Sequence, residues 1–140
     1  MEGTERAYDY DGEIWNRRRT AVERKDGWMA YIYMVRCTDA SLYTGIAKDV
    51  KRRLKEHYYK KKKGARYTRS RQVQSLEMVW ETEEWSDAAK LEIRIKRLAK
   101  SQKEELILHP EQVSGRFGEA LEGIHYHPRP EITLERCLGL

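Results

Sequence analysis

Arg53, His57 and Glu92 stand where their chemistry is out of place for a core and suited to a phosphate or a cation. Val50, Leu54 and Tyr58 recur at i, i+4 and i+8, which predicts a helix over residues 48–60. Arg53 and His57 are four apart, so they share one face of that helix. Each stands three residues after a member of the apolar row and therefore borders the buried stripe. An arginine held there needs an anion, either a phosphate met bidentately or a structural carboxylate. Glu92 poses the same problem in a second helix. Its helical neighbours are Ala88, Ala89, Ile95 and Lys96, three of them apolar. A carboxylate turned toward a core is costly unless it is paired or holds a cation. A salt bridge to Arg53 or Lys96 answers that need, and so does Mg²⁺, which takes few protein carboxylates and fills its shell with water and phosphate oxygens. Tyr33 shares a strand face with Tyr31 and Val35, and Tyr43 falls in the neighbouring strand. Taken alone, these tyrosines read as core aromatics.

The elements that position these groups follow from periodicity. Met29 to Val35 is a short apolar, β-forming run, and Leu42 to Ile46 is another. The turn Thr38 to Ser41 joins them as a hairpin. Asp49 suits the positive end of the first helix, and Gly64 breaks its basic continuation. A third strand centres on Leu76 to Trp80. Ser86 is an N-cap candidate for a helix over 87–100, and Ser101 opens a third helix that Pro110 ends. The order strand, strand, helix, strand, helix, helix predicts an α/β (α+β) fold: a small, mostly antiparallel three-stranded sheet flanked by helices. Residues 1–28 read as a poorly ordered N-terminal extension with one helical turn around Trp15 to Val22. Residues 29–108 form the domain. Residues 109–140 read as an acidic C-terminal extension with a strand near Ile132 to Leu134; from Glu104 onward the net charge is −4.

Charge points to a partner. The chain carries +5 overall, but residues 48–71 hold twelve Lys or Arg against two acids, leaving −5 elsewhere. Such a footprint suits a polyanion, although a solvated helix and a flexible basic loop produce the same count. A membrane contact fits less well, because the loop lacks large aliphatic residues. No apolar run approaches a membrane span, and the polar start MEGTERAYDYDGE has no apolar core of a secretory signal. Cys37 and Cys137, far apart and without CxxC spacing, read as reduced thiols of a cytoplasmic protein. His125-x-His127 lacks further metal ligands nearby.

The ordered set Tyr31-Ile32-Tyr33, Leu42-Tyr43-Thr44-Gly45-Ile46, Arg52-Arg53-Leu54-x-x-His57, Gly64-Ala65-Arg66-Tyr67-Thr68-Arg69 and Leu91-Glu92-x-x-Ile95-Lys96 resembles the GIY-YIG nuclease superfamily, over about residues 29–108. The likeness is to its small stand-alone bacterial members, which are related to the nuclease domain of the excision-repair incision subunit. The resemblance implies a metal-dependent endonuclease that hydrolyses DNA phosphodiester bonds, in repair or recombination, with RNA as the other candidate polymer. By the same likeness Tyr33 and Tyr43 are the two motif tyrosines, Arg53 contacts the scissile phosphate, His57 fills a His-or-Tyr helix position, and Glu92 binds Mg²⁺ or Mn²⁺. Gly45 is the motif glycine, where a side chain would crowd the backbone beside the substrate. Lys60, Lys61, Lys62, Lys63, Arg66, Tyr67, Arg69, Arg71 and Lys96 are candidate phosphate contacts, with affinity falling steeply in salt. The general base is open between Tyr43, assisted by Tyr33 or His57, and His57 itself. Tyr31 and Thr44 depart from the name-giving motifs, and Lys96 and Lys103 stand where other branches carry an asparagine. The competing reading is a non-catalytic nucleic-acid-binding module using the same basic face. A third is an interaction protein whose basic loop pairs with an acidic partner, its own tail included.

Overall fold

The computed structural model describes residues 29–59 and 72–140. The N-terminal extension with its expected helical turn, and the basic residues 60–71, lie outside the described residues.

Strands β1 (Ala30–Cys37) and β2 (Leu42–Ala47) form the expected antiparallel hairpin. Its turn is closed by the Cys37 N–H donating to the Ser41 carbonyl at 2.9 Å. Helix α1 (Val50–Tyr58) starts at Asp49, whose carboxylate accepts the Arg52 N–H at 3.0 Å and fills one orphan donor of the first turn. Strand β3 (Val73–Thr82) is twice the length of the apolar run that marks it, because β1 pairs with it along its whole length through two register shifts. Helices α2 (Trp85–Lys96) and α3 (Lys100–Leu108) follow. After them come two 3₁₀ turns around the single helical turn α4 (Val113–Arg116), the two-residue strand β4 (His127–Pro128) and helix α5 (Leu134–Leu138).

The sheet order is β2-β1-β3-β4, antiparallel throughout. The expected mixed α/β class and order of elements hold, with β4 added against Trp80 and Glu81. Period-two alternation divides the core in two. Ile32 and Met34 face α2 and α3, in a cluster with Ile46, Trp80, Trp85, Leu91 and Ile95. Tyr33 and Val35 face the other way, toward Val50 and Leu54 of α1. The acidic C-terminal stretch supplies buried residues to both sides: Val113, Leu121 and Tyr126 to the first, Leu134 and Cys137 to the second.

Three local expectations are corrected. Ser86 is not the N-cap of α2; Glu84 holds that position, since burial of Trp85 on the sheet draws the helix start upstream. The expected helix over 87–100 stops at Lys96. There Arg97 and Leu98 donate three residues back, to the Arg94 and Ile95 carbonyls, and tighten the last turn before α3 begins. The expected strand at 132–134 is the entry to α5: the Thr133 hydroxyl accepts the Arg136 N–H at 3.2 Å and caps a helix.

Candidate active site

Four of the five candidate side chains come from β1, β2 and α1. Tyr33 is 1% exposed and points at α1, where His57 is fully buried. The two meet in a 2.7 Å hydrogen bond between the Tyr33 hydroxyl and His57 Nε2. Tyr43 closes the cluster, with ring centroids 6.5 Å from Tyr33 and 5.8 Å from His57. Gly45 lies directly across from Tyr33 in the β1–β2 register. A Cβ there would stand 2.6 Å from Cζ of Tyr33 and still closer to its hydroxyl oxygen. The neighbour that forbids a side chain at Gly45 is thus the Tyr33 ring. The glycine lets that ring lie flat across β2 and reach His57.

Arg53 is 9% exposed, and its guanidinium donates to the Glu56 carboxylate at 2.9 Å, one turn along α1. Its charge acts on both neighbours. Burial first, and the Arg53 charge second, push the His57 pKa down to about 3, so the imidazole is neutral at neutral pH. The Tyr43 phenol moves up, chiefly through burial and then through the Glu92 charge, with Arg53 opposing.

Glu92 arrives from the opposite layer. Helix α2 packs on the other face of the sheet and contacts both β1 and β2. Because β2 is the sheet edge, a side chain on α2 can act there on a residue of the α1 face, such as Tyr43. Glu92 is 4% exposed, and burial raises its pKa against the opposing charge of Lys96. Lys96, one turn on, pairs with its carboxylate at 3.2 Å and lies 5.6 Å from the Tyr43 ring centroid. The site is therefore a cluster at one sheet edge, with the buried tyrosine–histidine pair and Arg53 from one layer and the buried carboxylate of Glu92 from the other.

The GIY-YIG catalytic domain matches residues 29–105. The chain belongs to the GIY-YIG family. It is similar to a UPF0213 protein of Fusobacterium nucleatum subsp. nucleatum, 44% identical over 81 residues, covering 58% of this chain and 79% of that one. A UPF0213 protein of Cupriavidus necator is 47% identical over 73 residues, covering 52% and 77%. The solution NMR structure of a UPF0213 protein from Bacillus halodurans is 33% identical, covers 64% of this chain and 97% of that one, and superposes with a TM-score of 0.39. The GIY-YIG match makes this a nuclease-type domain. It ends at residue 105, so the buried residues of α4, α5 and the turns between them lie beyond the matched segment.

The donor set of this GIY-YIG site fits a magnesium-type ion. Among the described residues no group of three or more His, Cys, Asp or Glu side chains could hold a metal. A single carboxylate such as Glu92 is enough protein ligand for Mg²⁺ when water and substrate phosphate complete its shell. A zinc-type cage is excluded among those residues by the same observation. His125 and His127 stack at 6.4 Å, both exposed, and belong to no such group.

Of the nine candidate phosphate contacts, Lys96 alone falls within the described residues. Two partners escaped the sequence reading. Glu56, an exposed helix position by pattern, turns out to hold Arg53. Arg36 binds Glu77 at 3.2 Å and Glu104 at 2.7 Å, tying α3 to the sheet. The Arg53–Glu56 pair is i, i+3 on one helix and has a local signal in that spacing, whereas the Arg36 pairings depend on which faces of distant elements meet. Both cysteines are buried, and neither is in a disulfide.

Proposed function

We propose that this chain is a metal-dependent endonuclease that hydrolyses DNA phosphodiester bonds, acting in DNA repair or recombination. The observation that carries the reading is the meeting, at the β2 edge, of the Tyr33–His57 pair with Tyr43 from one layer and buried Glu92 from the other. A bound Mg²⁺ or Mn²⁺ would neutralise charge on the phosphate and the leaving oxygen.

The chain's own residues do the rest. Glu92 supplies the carboxylate that holds the ion. Arg53 exchanges Glu56 for a non-bridging phosphate oxygen and stabilises the charge that develops there. His57 is fully buried and a weak base at a pKa of about 3, so it does not meet the attacking water itself. Its role is to fix the Tyr33 hydroxyl. Tyr43 is the partly exposed member and the general base. Burial, and after it the Glu92 charge, keep its phenol protonated, and Arg53 opposes them. To serve as base the phenol must first lose its proton to solvent, which neutralising Glu92 makes easier; the phenolate then takes the proton of the attacking water. The basic residues 60–71 and Lys96 bind flanking phosphates.

Branched, nicked and single-stranded DNA incubated with the protein and Mg²⁺ should yield products that disappear in Glu92→Ala and in Arg53→Ala. Undiminished cleavage by both variants would refute the site assignment. Salt-sensitive binding with no product under any metal would favour the binding-module reading.

A further inference from the structure

Lys96 is the residue whose position asks most of the chemistry. It is the last residue of α2 and half-exposed, with its ammonium 3.2 Å from a Glu92 carboxylate that is itself nearly fully buried. The same ammonium lies over the Tyr43 ring. Lys103, the third cation of this corner, is close enough for the Lys96 charge to depress its pKa, behind a larger effect of burial. One monovalent cation therefore touches the carboxylate that the proposed function gives to the metal and the ring of the proposed base, and a like charge stands beside it.

We propose that Lys96 is a latch on the metal site: it neutralises Glu92 when no metal is bound, competes with the metal for the carboxylate, and passes to a DNA phosphate when it is displaced. This rests on the reading of Glu92 as the metal ligand. Three observations support it. The pair is i, i+4 on one helix, so Lys96 can leave Glu92 by rotating its side chain without moving the backbone. Its side chain is half-exposed, so a released ammonium can meet a phosphate at the surface. Lys103 repels it, which lowers the cost of leaving. Metal and DNA binding are then coupled, because a phosphate that draws Lys96 away clears the carboxylate. A nuclease held in this way keeps its metal weakly until DNA is present.

The test is Mn²⁺ binding to the full chain without DNA, followed by the EPR signal of the free ion. Lys96→Met should bind Mn²⁺ about fivefold more tightly than wild type, the factor expected for removing a competing ion pair exposed on one side. Lys96→Arg, which restores the charge, should return to within twofold of wild type. Glu92→Gln should abolish specific Mn²⁺ binding in either background. In EDTA, Glu92→Gln should tighten binding to a DNA duplex by releasing Lys96, and that increase should vanish in the Glu92→Gln, Lys96→Met double variant. Equal Mn²⁺ affinity for wild type and Lys96→Met, with loss of binding in Glu92→Gln, overturns the latch and leaves the metal site standing. Wild-type Mn²⁺ binding by Glu92→Gln overturns the metal site itself.

Discussion

Replacing His57 with glutamine should flatten the acid sensitivity of this protein in a defined window. The imidazole is fully buried against Tyr33 and beside Arg53, which takes its pKa from 6.5 down to about 3. A histidine with a depressed folded pKa contributes stability that is complete above its unfolded pKa and is lost as pH falls toward the folded value. Between pH 6.5 and pH 3 the unfolded chain takes up a proton here that the folded chain refuses. Each pH unit in that window is worth about 1.4 kcal/mol, so by pH 4 the wild type loses roughly 3 kcal/mol through this one ring. Glutamine reaches the position of Nε2 and keeps a partner for the Tyr33 hydroxyl, but it does not titrate. Urea unfolding of both proteins at pH 7, 5 and 4 gives the difference directly, and the many carboxylates cancel in it. The wild type should lose roughly 3 kcal/mol more than His57→Gln between pH 7 and pH 4. The His57 ring resonances should also keep their neutral-form shifts at pH 5. Parallel stability profiles, or a ring that protonates near pH 6.5, would refute the buried neutral imidazole.

Glu92→Gln should be more stable than wild type by roughly 1 kcal/mol at pH 7 in EDTA, since burial penalises the ionised carboxyl even with Lys96 beside it. That advantage is present above the folded pKa of Glu92 and should fade by pH 4, where wild-type Glu92 is protonated, as thermal melts at the two pH values will show. Gly45→Ala forces the Tyr33 ring off β2 and should lower stability by about 1–3 kcal/mol. The Tyr33–His57 bond should break with it, visible as a change in the His57 ring shifts. A chain ending at His109 loses five buried residues of the C-terminal segment and the acceptors for Trp80 Nε1 and the Thr82 hydroxyl, the Pro110 and His125 carbonyls. At ~1.5–3 kcal/mol for each large side chain, that approaches the whole stability of a small domain. Calorimetry of this truncated chain should therefore show no cooperative transition.

The sequence carried the class of fold and the odd placement of Arg53, His57 and Glu92, because apolar periodicity locates a buried stripe and a polar residue on it stands out. It did not carry the partners. Glu92 had two candidate cations, Lys96 four residues on in the same helix and the distant Arg53; the fold pairs it with Lys96, while Arg53 goes to Glu56. The reason for Gly45 also needed the cross-strand register, which puts it opposite Tyr33 and not merely near a substrate. The C-terminal segment misled by composition: its acids are mostly exposed, while its few apolar residues, such as Tyr126 and Leu134, are widely spaced and yet buried. The helix break after Lys96 had no Gly or Pro to announce it. It follows from two three-residue hydrogen bonds that only the folded turn reveals.

The central claim is that the Glu92 site cuts DNA with a bound metal. The most direct measurement is single-turnover cleavage of a saturating nicked or branched DNA in Mg²⁺, with DNA affinity determined on the same preparations of wild type and Glu92→Gln. Wild type should cleave, and Glu92→Gln should bind the DNA at least as well while its cleavage rate falls by about 10³ or more, the loss expected when an electrostatic group of the transition state is removed. Equal cleavage rates for the two proteins would contradict the account.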